Sequence, residues 1–244
     1  LSASLLYRPV DTLKLYTTFS TLYRLPFLDE QVSYYGYGSD TFYQDLDPET
    51  GTSFEVGGAW RLAPDWTAEA SLYRLDMEDE IAYNPVIHEN ANLDETCHQG
   101  ASAALGWQRA GLGAIKARYS FTHAEFSSGA NDGCRVPLVP RHHFNLAAQA
   151  RLTTALTLLA TLHVSGNQPV GGDNANSLER LASFTTLDLG LRYQPARVAG
   201  LSLLVGVDNV LDEEYANVAY AGFTDTGYYP APGRTWKGAL SYTF

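Results

Sequence analysis

The side chains best suited to chemistry are a histidine pair, a short acidic run and two groups of tyrosines. His142-His143 offers two imidazoles, a common metal-ligand type. The pair stands at the start of an extended segment, where an interfacial or inward-facing role is preferred over a metal pair. Asp45, Asp47 and Glu49 could hold a cation, but a solvated loop is the preferred reading. Tyr34, Tyr35, Tyr37 and Tyr43 in that loop are better binding candidates, as are Tyr220, Phe223, Tyr228 and Tyr229 in a later one. Tyrosine presents flat apolar area and a hydroxyl at low entropic cost; the competing role is interfacial anchoring or loop packing. No GxSxG, HExxH or phosphate loop is present, so no catalytic set is assigned. The chain is not expected to be an enzyme, and no cofactor or metal is assigned.

Composition narrows the elements that must carry these residues. The chain has 244 residues and a formal charge of -11, which argues against a nucleic-acid partner. Lysine occurs only as Lys14, Lys116 and Lys237, while tyrosine occurs 16 times and methionine once. No apolar run approaches the ~18 residues of a membrane helix. A membrane strand needs only about ten residues, half of them polar, so this does not exclude a barrel. No signal peptide precedes Leu1, which starts directly in an alternating segment; a mature fragment is the expectation. Cys97 and Cys134 lack CxxC or Cys/His zinc spacing.

Alternation of period 2 recurs from end to end, which is a strand signal. Leu156, Leu158, Ala160, Leu162 and Val164 share one face, opposite Thr157, Thr161, His163 and Ser165. Phe144, Leu146, Ala148, Ala150 and Leu152 oppose Asn145, Gln149 and Arg151. Trp236, Gly238, Leu240, Tyr242 and Phe244 oppose Thr235, Lys237, Ala239, Ser241 and Thr243. About eleven such strands are expected, near 1–7, 12–22, 51–62, 66–83, 95–107, 113–125, 141–152, 155–166, 183–193, 201–211 and 235–244. Short and long connections alternate between them. An outer-membrane barrel sorts its loops this way, with short turns on the periplasmic side. Tyr7, Trp60, Trp66, Trp107, Tyr193 and Phe244 fall at the short-turn ends, as an interfacial girdle does. The predicted fold is all-β: an antiparallel up-and-down transmembrane barrel sheet, apolar side chains facing lipid and polar ones facing a wet or plugged lumen. Tyr242 and Phe244 belong to the closing, assembly-directing strand.

Several segments resemble the TonB-dependent outer-membrane receptor family. Val207-Asp208-Asn209-Val210-Leu211-Asp212-Glu213-Glu214-Tyr215, then Tyr229-Pro230-Ala231-Pro232-Gly233-Arg234 and the terminal Ser241-Tyr242-Thr243-Phe244, look like its C-terminus. Arg24-Leu25-Pro26-Phe27-Leu28-Asp29-Glu30 resembles the family's Arg-x-Pro…Glu segment. Leu46-Asp47-Pro48-Glu49 with Phe54-Glu55-Val56-Gly57 resembles its Leu-x-Pro-Glu…Glu-x-Gly segment. Asn92-Leu93-Asp94-Glu95-Thr96, Gln99-Gly100 and Val136-Pro137-Leu138-Val139-Pro140-Arg141-His142 also fit. Cys97 departs from the basic residue, and Ala239 from the glycine, that relatives often carry.

The resemblance implies a plugged barrel of about 22 strands, of which residues 1–244 would supply the C-terminal half without the plug or the N-terminal strands. It implies import of a ferric siderophore or other iron complex, with cobalamin as the alternative cargo. It implies as partners the TonB complex, reached through the plug region, the outer-membrane assembly machinery, and lipid with lipopolysaccharide. A passive porin is the alternative of another class. Cys97 lies just below one long loop and Cys134 in the next, so a disulfide between them is expected on the outer side.

Overall fold

The computed structural model describes residues 1–31, 46–84, 89–222 and 225–244. Eleven strands form one sheet, all neighbours antiparallel: β1 (Ser2–Val10), β2 (Leu13–Arg24), β3 (Glu49–Ala63), β4 (Trp66–Glu78), β7 (Thr96–Arg109), β8 (Gly113–Phe126), β9 (His142–Arg151), β10 (Leu156–Ser165), β11 (Phe184–Tyr193), β12 (Leu201–Asp208) and β15 (Thr235–Tyr242). The sheet is open, with β1 and β15 at its two edges. Two hairpins stand apart from it: β5 (Ile81–Asn84) with β6 (Glu89–Asn92), and β13 (Ala216–Ala221) with β14 (Thr226–Pro230).

All eleven expected strands are present; the last, expected over 235–244, ends at Tyr242 and leaves Phe244 just beyond it, and two others end further short. The predicted strand 66–83 stops at Glu78 because Asp79 takes a left-handed backbone (φ 60°), which a ladder does not accommodate. The predicted strand 201–211 stops at Asp208 because Asn209 does the same (φ 51°). Both hairpins are elements that the alternation does not reveal.

Because residues paired in register share a face, the ladders propagate one sidedness across the sheet. Thr157 pairs Arg151 and Arg192, Arg118 pairs Asn145 and Ala104, and Glu69 pairs Ala104 and Ala59. The inner face is therefore polar. Leu158 pairs Ala150 and Leu191, Phe19 pairs Phe54, and Trp66 pairs Trp107. The other face is apolar and largely exposed: Leu72 is 60% exposed and Trp236 74%. So wide an apolar surface suits lipid rather than water. The buried core is correspondingly small. Its hydrophobic cluster, Val170, Leu181 and Ala219, lies among the connections on the long-loop side.

The expected disulfide is absent: Cys97 and Cys134 are both free thiols. Cys97 pairs Glu125 of β8, while the carbonyl of Cys134 accepts from the amide of Phe126 on the far side of β8. A whole strand thus separates them, about two strand spacings or ~9–10 Å, beyond the ~7 Å that a disulfide bridges. The Cys134 thiol instead points to the carbonyl of Ala175 at 3.7 Å.

Candidate functional site

The inner wall is built by side chains that lie flat across strands. Tyr16 pairs Gly57, and a Cβ at Gly57 would come within 2.5 Å of the Tyr16 hydroxyl. Glycine therefore lets the ring cover the neighbouring backbone, and the hydroxyl donates to Glu55 at 2.7 Å. Tyr73 covers Gly100 in the same way, and its hydroxyl meets that of Thr122 at 3.0 Å. The Glu-x-Gly and Gln-Gly segments noted in the sequence thus have a physical role, which is to seat aromatic rings on the polar wall.

Further along this wall, near its long-loop end, a run of rings crosses from β9 to the loop after β12. The rings of His143 and His163 lie 4.6 Å apart, those of His163 and Phe184 5.5 Å, and those of Phe184 and Tyr215 4.2 Å. The last two contacts are stacked. Asn145 ties the histidines together, accepting from His163 Nδ1 at 2.8 Å and donating to His143 Nδ1 at 3.3 Å. The adjacent His142 turns to the opposite face, where it packs on Phe121 and its Nδ1 meets the Tyr119 hydroxyl at 2.7 Å. His142-His143 is therefore split into one interfacial and one inward-facing residue.

Above the wall, two clamps hold the long-loop bases. Arg24 forks onto Glu49, with Nε to Oε2 at 2.7 Å and a second contact from Nη2 to Oε1, while Nη1 reaches Glu30 at 2.7 Å. Glu30 also accepts the amide of Phe27, and Glu49 the amide of Ile81. One guanidinium thus ties β2, β3 and the loop that follows β2, and Glu49 in turn holds the start of β5. The hydrogen bonds from Arg24 hold the Glu49 carboxyl below the usual range, and Arg24 is raised above its own. Within the acidic run, Glu49 is committed to this clamp, the backbone of Asp47 exchanges contacts with the Asn92 side chain, and Asp45 lies outside the described residues. At the last long loop, the Asn209 side chain donates to the carbonyl of Glu213 at 2.9 Å and accepts its amide at 3.0 Å. Its own amide donates to Asp188. Arg234 completes the base, with its amide on Asp212 and its Nε on the carbonyl of Val210.

The outer layer supplies aromatic side chains and a buried cation. Tyr220 and Tyr229 share a face of the β13–β14 hairpin, 6.0 Å apart between ring centres, and Tyr83 meets Tyr220 edge-on at 6.4 Å. The Tyr220 ring lies over Gly171, where a Cβ would come within 2.4 Å of it. Tyr228 takes the opposite face and does not join them. Beside Tyr83 lies a hollow of about 400 Å³, lined among others by Asn92, Asp94, Asn131 and Asn174. Arg135 is buried, donates to the carbonyl of Val139 at 3.0 Å, and is brought down to about 10 by burial and by the like charges of Arg141 and Arg180. It stays cationic at neutral pH. Tyr34, Tyr35, Tyr37, Tyr43 and Phe223 lie outside the described residues. The sequence singles out Tyr220 and Tyr229; it misses Tyr83, which alternation places inside a longer strand, and the Phe184–Tyr215 stack.

Three comparisons bear on this arrangement. Residues 2–210 match the family model "TonB dependent receptor-like, beta-barrel". A curated relative, the iron-regulated outer membrane virulence protein of Vibrio cholerae serotype O1, is 27% identical over 230 residues, which is 85% of this chain and 34% of that protein. Among solved structures, the ferric yersiniabactin uptake receptor FyuA from Yersinia pestis superposes with a TM-score of 0.79 at 21% identity, covering 100% of this chain and 37% of that one. The copper transporter OprC gives 0.78 at 20% identity, covering 100% of this chain and 39% of that one. The chain thus spans about a third of the length of the proteins it matches. The likeness to solved structures fixes the fold and leaves the cargo open.

Proposed function

We propose, from the premise that this chain belongs to the TonB-dependent receptor family of the bacterial outer membrane, that it is the C-terminal half of a barrel that binds and imports a ferric siderophore or other iron complex. The strands that complete the barrel, and the plug through which TonB would act, are proposed to lie outside residues 1–244. The observation that carries this reading is the sidedness of the sheet: a polar wall beneath a tyrosine-bearing outer layer, with an apolar face turned to lipid. Such a wall lines an aqueous path rather than a packed core. The iron-regulated Vibrio cholerae relative supports iron as the cargo.

Transport follows from the parts. Tyr83, Tyr220 and Tyr229 offer ring edges and hydroxyls to an incoming chelate. The clamps at Arg24 and Asn209 hold the bases of the loops above the wall. Passage past a plug requires energy from the inner membrane, because no gradient of a scarce chelate drives it. The test is uptake of radiolabelled iron complexes by cells carrying the intact receptor, with and without TonB and with a protonophore. TonB-dependent iron uptake is expected. Uptake of cobalamin instead would reassign the cargo, and gradient-independent flux proportional to concentration would indicate a porin.

A further inference from the structure

We propose that His143 and His163 form a two-imidazole site on the inner wall for a borderline divalent cation, Cu(II), Ni(II) or Zn(II). Their Nε2 atoms are 3.3 Å apart. Two nitrogens each about 2.0–2.1 Å from one metal, at a tetrahedral angle, stand ~3.3–3.4 Å apart. The ring centres are only 4.6 Å apart, closer than a collinear N–H···N contact between ring edges would hold them. The ring planes cross at 76°, and lone pairs converging on one metal would hold the centres ~5 Å apart, so a small turn of the His143 ring completes the approach.

The surrounding hydrogen bonds fit the same site. Asn145 occupies the Nδ1 of both rings and leaves both Nε2 atoms free for the pair. His163, whose Nδ1–H is donated to the Asn145 oxygen, is already oriented as metal-ligating histidines usually are, whereas His143 accepts from the Asn145 amide at Nδ1 and carries its proton on Nε2. In the metal-free pair the His143 Nε2 proton is donated to His163 Nε2. On binding it moves through water to Nδ1, and the Asn145 oxygen, with two lone pairs, can accept from both rings. Stacking on Phe184, itself stacked on Tyr215, resists rotation of the His163 ring. A hollow of about 230 Å³ beside His143 and Asn145, lined also by Glu69, Arg118, Ser102 and Ser120, leaves room for water or a chelator to complete the coordination. Among the described residues no third His, Cys, Asp or Glu joins the pair, so the site is open rather than a closed structural one. Imidazole donors favour Cu, Ni and Zn over Mg or Ca.

The test uses the intact receptor containing this chain, purified in detergent. Cu(II) is added and followed by electron paramagnetic resonance, and Zn(II) by calorimetry. One Cu(II) per receptor with coupling to two imidazole nitrogens is expected, lost from the spectrum in both His143→Ala and His163→Ala. Zn(II) affinity should fall at least about tenfold in each. His123→Ala, on the opposite face, should retain both signals. Heat-dependent gel mobility checks folding, and Gln replaces Ala wherever a variant fails that check. The proposal is overturned if the wild type takes up no stoichiometric Cu(II), or if the folded double variant binds as the wild type does.

Discussion

The wall and its rim are stabilised by different means. The wall relies on a continuous backbone ladder, and its side chains matter mainly for the side on which they stand. The rim relies on single side chains that each satisfy several loop groups, as Arg24 and Asn209 do. The wall should therefore be sensitive to which face a change falls on, and the rim to which residue is changed.

The largest effect should come from violating sidedness. Leu162→Arg, well above the level of Tyr193, puts a charge on the lipid face and should cost about 2–4 kcal/mol near the midplane, while Thr161→Arg, beside it on the polar face, should cost little. Heat-dependent gel mobility of the assembled receptor measures both, and equal tolerance would undo the membrane assignment. Next comes the ionic clamp. Arg24→Ala strands two carboxylates and the loop they anchor, at about 1–3 kcal/mol, seen as faster hydrogen exchange around Phe27 and Ile81 with the wall unchanged. Asn209→Ala should cost about 1–2 kcal/mol, since it removes two backbone partners at a residue with φ 51°; exchange at Glu213 reports it.

The smallest effect is of pH, and it separates the two clamps. Arg24 holds the Glu49 carboxyl low, so its contribution is complete above the ordinary Glu range near ~4.3 and is lost as pH falls through the depressed folded value. The hydrogen bonds between the Asn209 side chain and the Glu213 backbone join uncharged amide groups that do not titrate in this range. Acidification below about pH 4 should loosen the Phe27 and Ile81 region before the Glu213 region. Simultaneous loosening of both would refute the distinction.

How far the sequence can be read follows the same division. The wall is legible because sidedness is local: Leu158 and Thr157 declare themselves without knowledge of their partners. The rim is legible only as recurring segments, and Arg24, Glu30 and Glu49 acquire a role once they are seen to converge. The hairpins stay hidden because Asp79 breaks a pattern whose polar and apolar residues continue past it. The disulfide fails for want of one spatial fact, that β8 runs between the two thiols. The histidine pair is split across two strands, and only the register of Asn145 on His163 brings them together.

Parity is one consequence of the eleven-stranded order. With every neighbour antiparallel, an odd count makes β1 and β15 point the same way. Two copies set side by side in the same orientation would therefore meet at parallel seams, and an all-antiparallel union would turn one copy upside down, with its long loops on the wrong side of the membrane. Self-completion by a second copy is thus disfavoured by direction alone. The natural complement is a different set of strands, odd in number, that begins and ends pointing the other way.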